Sequence, residues 1–426
     1  MKAIKVGIFG CNRGSSLMRN IMINGGEIVA ICDKVERWRN HAIGILGDTA
    51  KDVGVYEDFD SFIEHPGLDA VVLANYFNEH APYAIRCLEK GIHVMTECTS
   101  NGTMAEGVAL VRAAEKSNAI FMLAENYPYM QFNQEMRRVY RGGTLGKVLF
   151  GEGEYNHPGA NNDPNYKTVL CPYSKHWRNH LPASYYITHS LAPLMYITGV
   201  FPKRVTAFPS YYEPADDPKQ FQSKWTADNT AIVSILNDDG SVFRVTGCAA
   251  FGAHGNAYRI CGTNGQIENI RGGGGKVMLR YNEWQIPEGK EAVNYYMPEW
   301  PEDKKALIEK AGHGGGDFFT AYEFLKCIRE GKPHEFDVYF ATSMASVAIL
   351  AHRSIMNNGQ PYDIPDFRKE EDRVKYENDY ESPFYGPDGS EPTIPCCSNP
   401  DYKPPVGGHR HYLELVGEDA SAYTGE

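Results

Sequence analysis

Three groups of residues in this 426-residue chain have the types and spacing that chemistry needs. The first is the turn Gly10-Cys11-Asn12-Arg13-Gly14-Ser15, placed between an apolar run at 4–9 and a helical pattern. Glycines where a strand hands over to a helix let backbone N–H groups and the helix dipole meet a pyrophosphate. The turn is not a full G-x-G-x-x-G, because Asn12 and Ser15 replace later glycines of that spacing. Asp33 follows the second apolar run, 27–32. A carboxylate there can accept hydrogen bonds from both ribose hydroxyls and repels a 2′-phosphate, so the pattern favours NAD over NADP. The competing reading of Asp33 is a residue that only ends a strand.

The second group lies on a strand-like run at 147–157, where alternation puts Gly151, Gly153, Tyr155 and His157 on one face. Two glycines leave space and two proton-handling groups point into it, as a pocket wall would require. The third group is on a helical pattern at 183–198, where Tyr186 and His189 are three apart and share a face. Arg178, beside Trp177, is suited to grip hydroxyls or an acidic substituent. The competing readings are an aromatic surface strand, a satisfied core or capping histidine, and a surface arginine stacked on tryptophan.

The elements that position these groups fall into two patterns. Apolar runs at 4–9, 27–32, 69–75, 92–96 and 119–124 alternate with helical patterns at 79–90 and 103–117. Thr103 with Glu106 fits a capping box. Such alternation argues a parallel sheet with helices on both faces, an NAD-binding Rossmann domain over 1–125. A helix at 131–141, stopped by Gly142-Gly143, opens the second pattern. The strand 147–157 and the helix 183–198 follow, then strands at 204–211, 230–236, 242–249, 258–261, 266–270 and 277–281, and helices at 317–330 and 338–357. Hairpin-connected strands suggest an α+β domain over 126–367 with a large open, mostly antiparallel sheet. The fold class expected is α/β. Asp317 would cap the helix that follows it. Residues 368–426, charged and Pro-rich with Tyr interleaved, read as an extended tail lying on this or a neighbouring subunit.

Composition bounds the function. Lys and Arg number 42 against 54 Asp and Glu, a net charge of −12, which disfavours a nucleic-acid surface. The longest stretch without a charged residue, 179–202, carries His180, Pro182, Thr188, His189 and Pro193, unlike a membrane span. Ten scattered cysteines without a C-x-x-C pair, and no signal-peptide pattern after Met1, suggest a reduced, cytoplasmic protein. Cys396-Cys397 and His409-x-His411 match no zinc spacing, so no metal is expected.

At the level of motifs, the chain resembles the Gfo/Idh/MocA oxidoreductase family over 1–367. The carrying segments are the glycine turn, Asp33, Asn75-Tyr76-Phe77-Asn78-Glu79-His80, Gly91-Ile92-His93-Val94-Met95-Thr96-Glu97 and Gly262-Thr263-Asn264-Gly265. The resemblance implies an NAD site in which His80 and Glu97 lie near the nicotinamide half. Asn12, Arg13, Asn75 and Asn126 stand in the matching segments and join Gly10, Gly14 and Asp33 on the cofactor side. Typical dehydrogenases of the family have Glu-Lys-Pro where this chain has Glu97-Cys98-Thr99, and an Asp where it has Tyr185. Both departures count against a plain sugar dehydrogenase.

A closer resemblance is to the NAD-dependent glycoside hydrolase branch, the α-N-acetylgalactosaminidase family. It rests on Ala124-Glu125-Asn126, Gly153-Glu154-Tyr155-Asn156-His157, Trp177-Arg178-Asn179-His180, Tyr186-Ile187-Thr188-His189, Ala311-Gly312-His313-Gly314-Gly315-Gly316-Asp317 and Asp363-Ile364-Pro365-Asp366-Phe367. This resemblance implies that Glu125, Arg178 and Tyr186 bind the sugar while Tyr155, His189 and His157 move protons. Oxidation at carbon 3 would acidify the hydrogen at carbon 2, the aglycone would leave from carbon 1, and water addition and re-reduction would complete hydrolysis. The substrate implied is a small glycoside, and the open sheet suggests a homodimer or homotetramer. Competing assignments are a sugar or inositol dehydrogenase and a nonenzymatic NAD-binding sensor.

Overall fold

The structure, a computed structural model, describes residues 3–160, 175–211, 221–222, 228–249, 251–300, 305–309 and 311–402. Six short apolar runs, β1 (Ile4–Phe9), β2 (Gly26–Cys32), β3 (Gly54–Tyr56), β4 (Ala70–Leu73), β5 (His93–Thr96) and β6 (Phe121–Leu123), form a sheet of order β3-β2-β1-β4-β5-β6. All its pairings are parallel. Val6, Ile8, Val71, Val72 and Val94 are fully buried, as strands covered by helices on both faces require. β3 is only three residues long and carries no periodic signal. The capping box is present: Thr103 accepts from the Glu106 N–H and Glu106 accepts from Thr103.

Among the described residues the second sheet has nine strands. In spatial order they are Val293–Tyr296, Val277–Tyr281, Gly265–Asn269, Gly255–Gly262, Val148–Asn156, Val242–Ala249, Asp228–Asn237, Pro202–Tyr211 and Tyr362–Asp363. Every pairing is antiparallel except that of Val148–Asn156 with Val242–Ala249. One face, with Val233, Ile235, Phe243, Val245 and Ile260, is buried. The helices Thr188–Thr198 and Val338–Met356 pack against this sheet. The other face leaves Phe208, Ile232, Leu236 and Val242 exposed.

Two expectations change here, and one alternative is narrowed. The helix expected from 183 begins at Thr188. Pro182 heads a turn closed by the Tyr185 N–H on its carbonyl at 2.9 Å, so Tyr186 stands before the helix. Gly151 and Gly153 do not open a pocket. A Cβ on Gly153 would lie 2.1 Å from the Ser190 carbonyl oxygen, and one on Gly151 2.6 Å from the Phe243 ring. The glycine space is filled by helix and ring, and this close approach of helix to strand brings His189 to Tyr155. The described part of the tail, 368–402, lies on its own chain: Asp379 accepts from the Ala105 N–H at 2.9 Å, and Arg353 pairs with Asp379 and Glu381. His409 and His411 lie outside the described residues. Among the described residues no helix is long and apolar enough to cross a membrane.

Candidate active site

At the point where the strand order reverses, between the C-terminal ends of β1 and β4, a cavity of about 450 Å³ opens. Ligands of open α/β sheets bind at such a switch point. Gly10, with φ 91°, makes the turn from β1 into the helix Cys11–Ile23, and a Cβ there would lie 2.3 Å from the Ala74 carbonyl oxygen. Gly14 lets that helix approach β1, since a Cβ would meet Ile8 at 2.6 Å. Asp33 accepts from the Cys11 N–H at 2.7 Å and from the Val35 N–H at 2.9 Å. Burial raises its carboxyl above the ordinary range, and these two N–H groups partly offset the rise.

Gly10, Asn12, Arg13, Asp33 and Asn75 line this cavity. Both polar atoms of the Asn75 amide are buried without a hydrogen-bond partner, which fits a wall that receives a polar ligand group. The residues therefore suit a dinucleotide, with Asp33 for the ribose and the Gly10 turn for the pyrophosphate. Gly10→Ala is expected to cost about 1–3 kcal/mol of stability from backbone strain. It should also weaken NAD binding at least roughly tenfold, about 1.4 kcal/mol. Calorimetric NAD titration beside thermal unfolding checks both, and parent-like affinity would rule out the turn as the phosphate cradle.

His80, Glu97 and Asn126 stand back from the cavity wall. His80 is buried with Nδ1 2.7 Å from the Thr99 carbonyl oxygen. Glu97 accepts from the Arg13 Nε at 2.6 Å. Asn126 donates to Asp317 at 2.8 Å. Asp317 is not a helix cap. It is fully buried, holds the Arg13 guanidinium through both oxygens at 2.8 and 3.0 Å, and accepts from Ser16 at 3.0 Å. His313 Nδ1 lies 3.1 Å from it. Burial alone would raise this carboxyl, but His313 and Arg13 hold it well below the ordinary range.

Arg178 lines the nucleotide cavity with His176 and Trp177 and stacks on Trp177 at 4.4 Å. The short turn Trp177–His180 carries it there.

The other predicted residues meet in a buried cluster. His189 Nδ1 lies 2.7 Å from Glu125 Oε1, and Glu125 has no solvent exposure. The second oxygen of Glu125 accepts from the Cys98 thiol at 3.0 Å, and its first also accepts from the Tyr127 N–H at 3.2 Å. Burial would raise the Glu125 carboxyl, but His189, then Cys98 and the Tyr127 N–H, hold it below the ordinary range. Burial, then Glu125 and Glu97, push the Cys98 thiol well up, so it stays protonated and donates. Aromatic rings enclose the histidine. Tyr127 stacks on it at 3.9 Å, while Tyr155 and Tyr186 meet it edge-on at 4.9 and 5.2 Å. His157 lies 5.6 Å from Tyr155, ring to ring.

Sequence reasoning missed Cys98, Tyr127 and the binding role of Asp317. Tyr127, two residues beyond Glu125, and the acid after the glycine run were the available signals. Among the described residues no cluster of three or more His, Cys, Asp or Glu side chains is arranged to hold a metal.

Residues 4–125 match the oxidoreductase family with an NAD-binding Rossmann fold, Gfo/Idh/MocA. Residues 253–373 match the C-terminal domain of glycosyl hydrolase 109. A glycosyl hydrolase family 109 protein of Saccharopolyspora erythraea is 25% identical over 394 residues, covering 86% of this chain and 84% of that one. One of Shewanella pealeana is 24% identical over 406 residues, covering 87% and 86%. Levoglucosan dehydrogenase in complex with NADH and levoglucosan superposes with a TM-score of 0.70 at 20% identity, covering 86% of this chain and 100% of that one. That likeness is one of fold. The N-terminal unit is an NAD-binding Rossmann domain.

Proposed function

The chain belongs to the Gfo/Idh/MocA oxidoreductase family, with a glycosyl hydrolase 109 C-terminal domain behind its Rossmann domain, and from that premise we propose that it is an NAD-dependent glycoside hydrolase. The observation that carries the reading is the buried Glu125–His189 pair, with a protonated Cys98 where sugar dehydrogenases of the family keep a lysine. Bound NAD supplies reversible hydride transfer at carbon 3 of the sugar, so the net reaction is hydrolysis without net redox change, outside the two-carboxylate scheme.

The side chains divide the proton work. Glu125 accepts the Nδ1 proton of His189, which leaves Nε2 as the acceptor nitrogen of the neutral ring. Nε2 takes the proton of the carbon 3 hydroxyl. Tyr155, assisted by His157, takes the proton at carbon 2, acidified by the neighbouring ketone, as the aglycone departs from carbon 1. Tyr127, Tyr155 and Tyr186 exclude water from the histidine and orient the ring of the sugar. Arg178, between the nucleotide cavity and Trp177, fixes a hydroxyl or acidic substituent. Elimination tolerates either anomer, so the substrate class is small α- or β-glycosides met in the cytoplasm. The same reading divides the chain at 1–125, 126–367 and 368–426, and pairs like chains through the sheet face bearing Phe208, Ile232, Leu236 and Val242.

A panel of α- and β-nitrophenyl glycosides in deuterated water, with the purified holoprotein, tests the reading. Aglycone release with deuterium at carbon 2 and no accumulation of NADH is expected. Steady NADH formation with a free sugar and no aglycone release would instead mark a sugar 3-dehydrogenase.

A further inference from the structure

The match to the glycosyl hydrolase 109 C-terminal domain ends at residue 373, and the described chain beyond it packs back on its own fold. Arg353 grips Asp379 and Glu381, and the Ala105 N–H donates to the Asp379 carbonyl at 2.9 Å. Farther on, His352 Nε2 lies 2.7 Å from the Pro395 carbonyl oxygen. Ser398 hydrogen-bonds Asp228 through its N–H at 2.8 Å and its hydroxyl at 2.5 Å, and Asn399 donates to the Tyr211 hydroxyl at 2.9 Å. Between these anchors, Phe384 is buried against Phe77 at 6.4 Å and Tyr185 at 5.5 Å. Tyr385 meets His180 edge-on at 5.0 Å, with Lys175 Nζ 4.8 Å from its ring.

The residues these two rings touch lead to the site. Phe77 stacks on Trp177 at 5.3 Å and on Tyr186 at 6.1 Å. Tyr186 is next to His189 and Tyr155. His180 ends the turn that carries Arg178 to the nucleotide cavity.

We propose that residues 376–399 form a strap in which Phe384 and Tyr385 are positioning residues: Phe384 backs the Phe77 ring on which Trp177 and Tyr186 lie, and Tyr385 holds the turn bearing Arg178. Only the kinetic arm of its test rests on the glycosidase reading. In the full-length holoprotein, Tyr385→Ala and Phe384→Leu are each expected to raise KM for a nitrophenyl glycoside roughly three- to tenfold, the factor an aromatic contact carries. The kcat stays within about twofold. Hydrogen–deuterium exchange supplies a readout without substrate. Peptides over 177–189 exchange faster in both variants, while those of β1 and β4 keep parent rates. Unchanged exchange over 177–189 overturns the strap, whether or not the parent cleaves glycosides. Faster exchange with unchanged KM removes the assignment to substrate positioning. A parent inactive on every glycoside refutes the functional reading, and the exchange data then decide the strap alone.

Discussion

On the proposed glycosidase reading, His189→Ala is expected to lower aglycone release by roughly 10²–10⁴-fold, the share a positioned general base contributes, while NAD still binds with parent affinity. The reason is the division of the histidine's two nitrogens. Nδ1 is paired with a carboxylate that has no solvent exposure, so in the proposed scheme Nε2 is the nitrogen left for substrate. Tyr155→Phe fails at a different point, and deuterium separates the two. In a single turnover with the tyrosine variant, the nicotinamide is reduced but carbon 2 acquires no deuterium and no aglycone appears. The histidine variant gives neither signal. If the two patterns are interchanged, the base roles of Tyr155 and His189 are reversed. Full activity in either variant removes that residue from the scheme.

The candidate site was legible in the sequence only as far as local patterns reach, and which base serves carbon 2 and which carbon 3 was not legible at all. The Gly10 turn and Asp33 are a strand, a turn and an acid close together in the chain, so their chemistry is written locally. The capping box at Thr103 and Glu106 is local in the same way. What the sequence hides is what fills a space or answers a charge. Gly151 and Gly153 suggest room in a strand, yet whether a ligand or a helix takes the room depends on Ser190, far along the chain. Tyr186 and His189 do face each other, but a proline-headed turn rather than a shared helix brings them together. Asp317 satisfies every local rule for a helix cap, and only the folded chain shows that Arg13, 304 residues away, claims its carboxylate. Cys98 departs from a familiar triplet, and its meaning comes from Glu125 on another strand's end. Long-range pairing of buried polar groups is a property of the packing, which a single sequence does not print.

Asp317→Ala is expected to destabilise the protein by about 3 kcal/mol, the lower end of the roughly 3–5 kcal/mol seen when one partner of a buried ion pair is removed. The lower end applies because the Arg13 side chain is 31% exposed and keeps Glu97 at 2.6 Å. Chemical denaturation reads this loss as a fall in midpoint without a change of slope. Asp317 sits at the N-terminal end of the helix Gly316–Glu330, while Arg13 and Ser16 belong to the first helix of the Rossmann domain. The pair therefore ties the C-terminal part of the chain to the wall of the nucleotide cavity. Its pH dependence has a fixed sign. The folded-state carboxyl is depressed, so its stabilisation is complete above the unfolded value of about 3.9 and is lost as pH falls below it. The gap in stability between parent and Asp317→Ala should therefore stay constant at neutral pH and narrow in acid. Arg13→Met in the Asp317→Ala background should cost less than the sum of the single changes, because each alone strands its partner. Strict additivity, or a loss under about 1 kcal/mol, would mean that the ion pair is a bystander and that packing alone joins the two units.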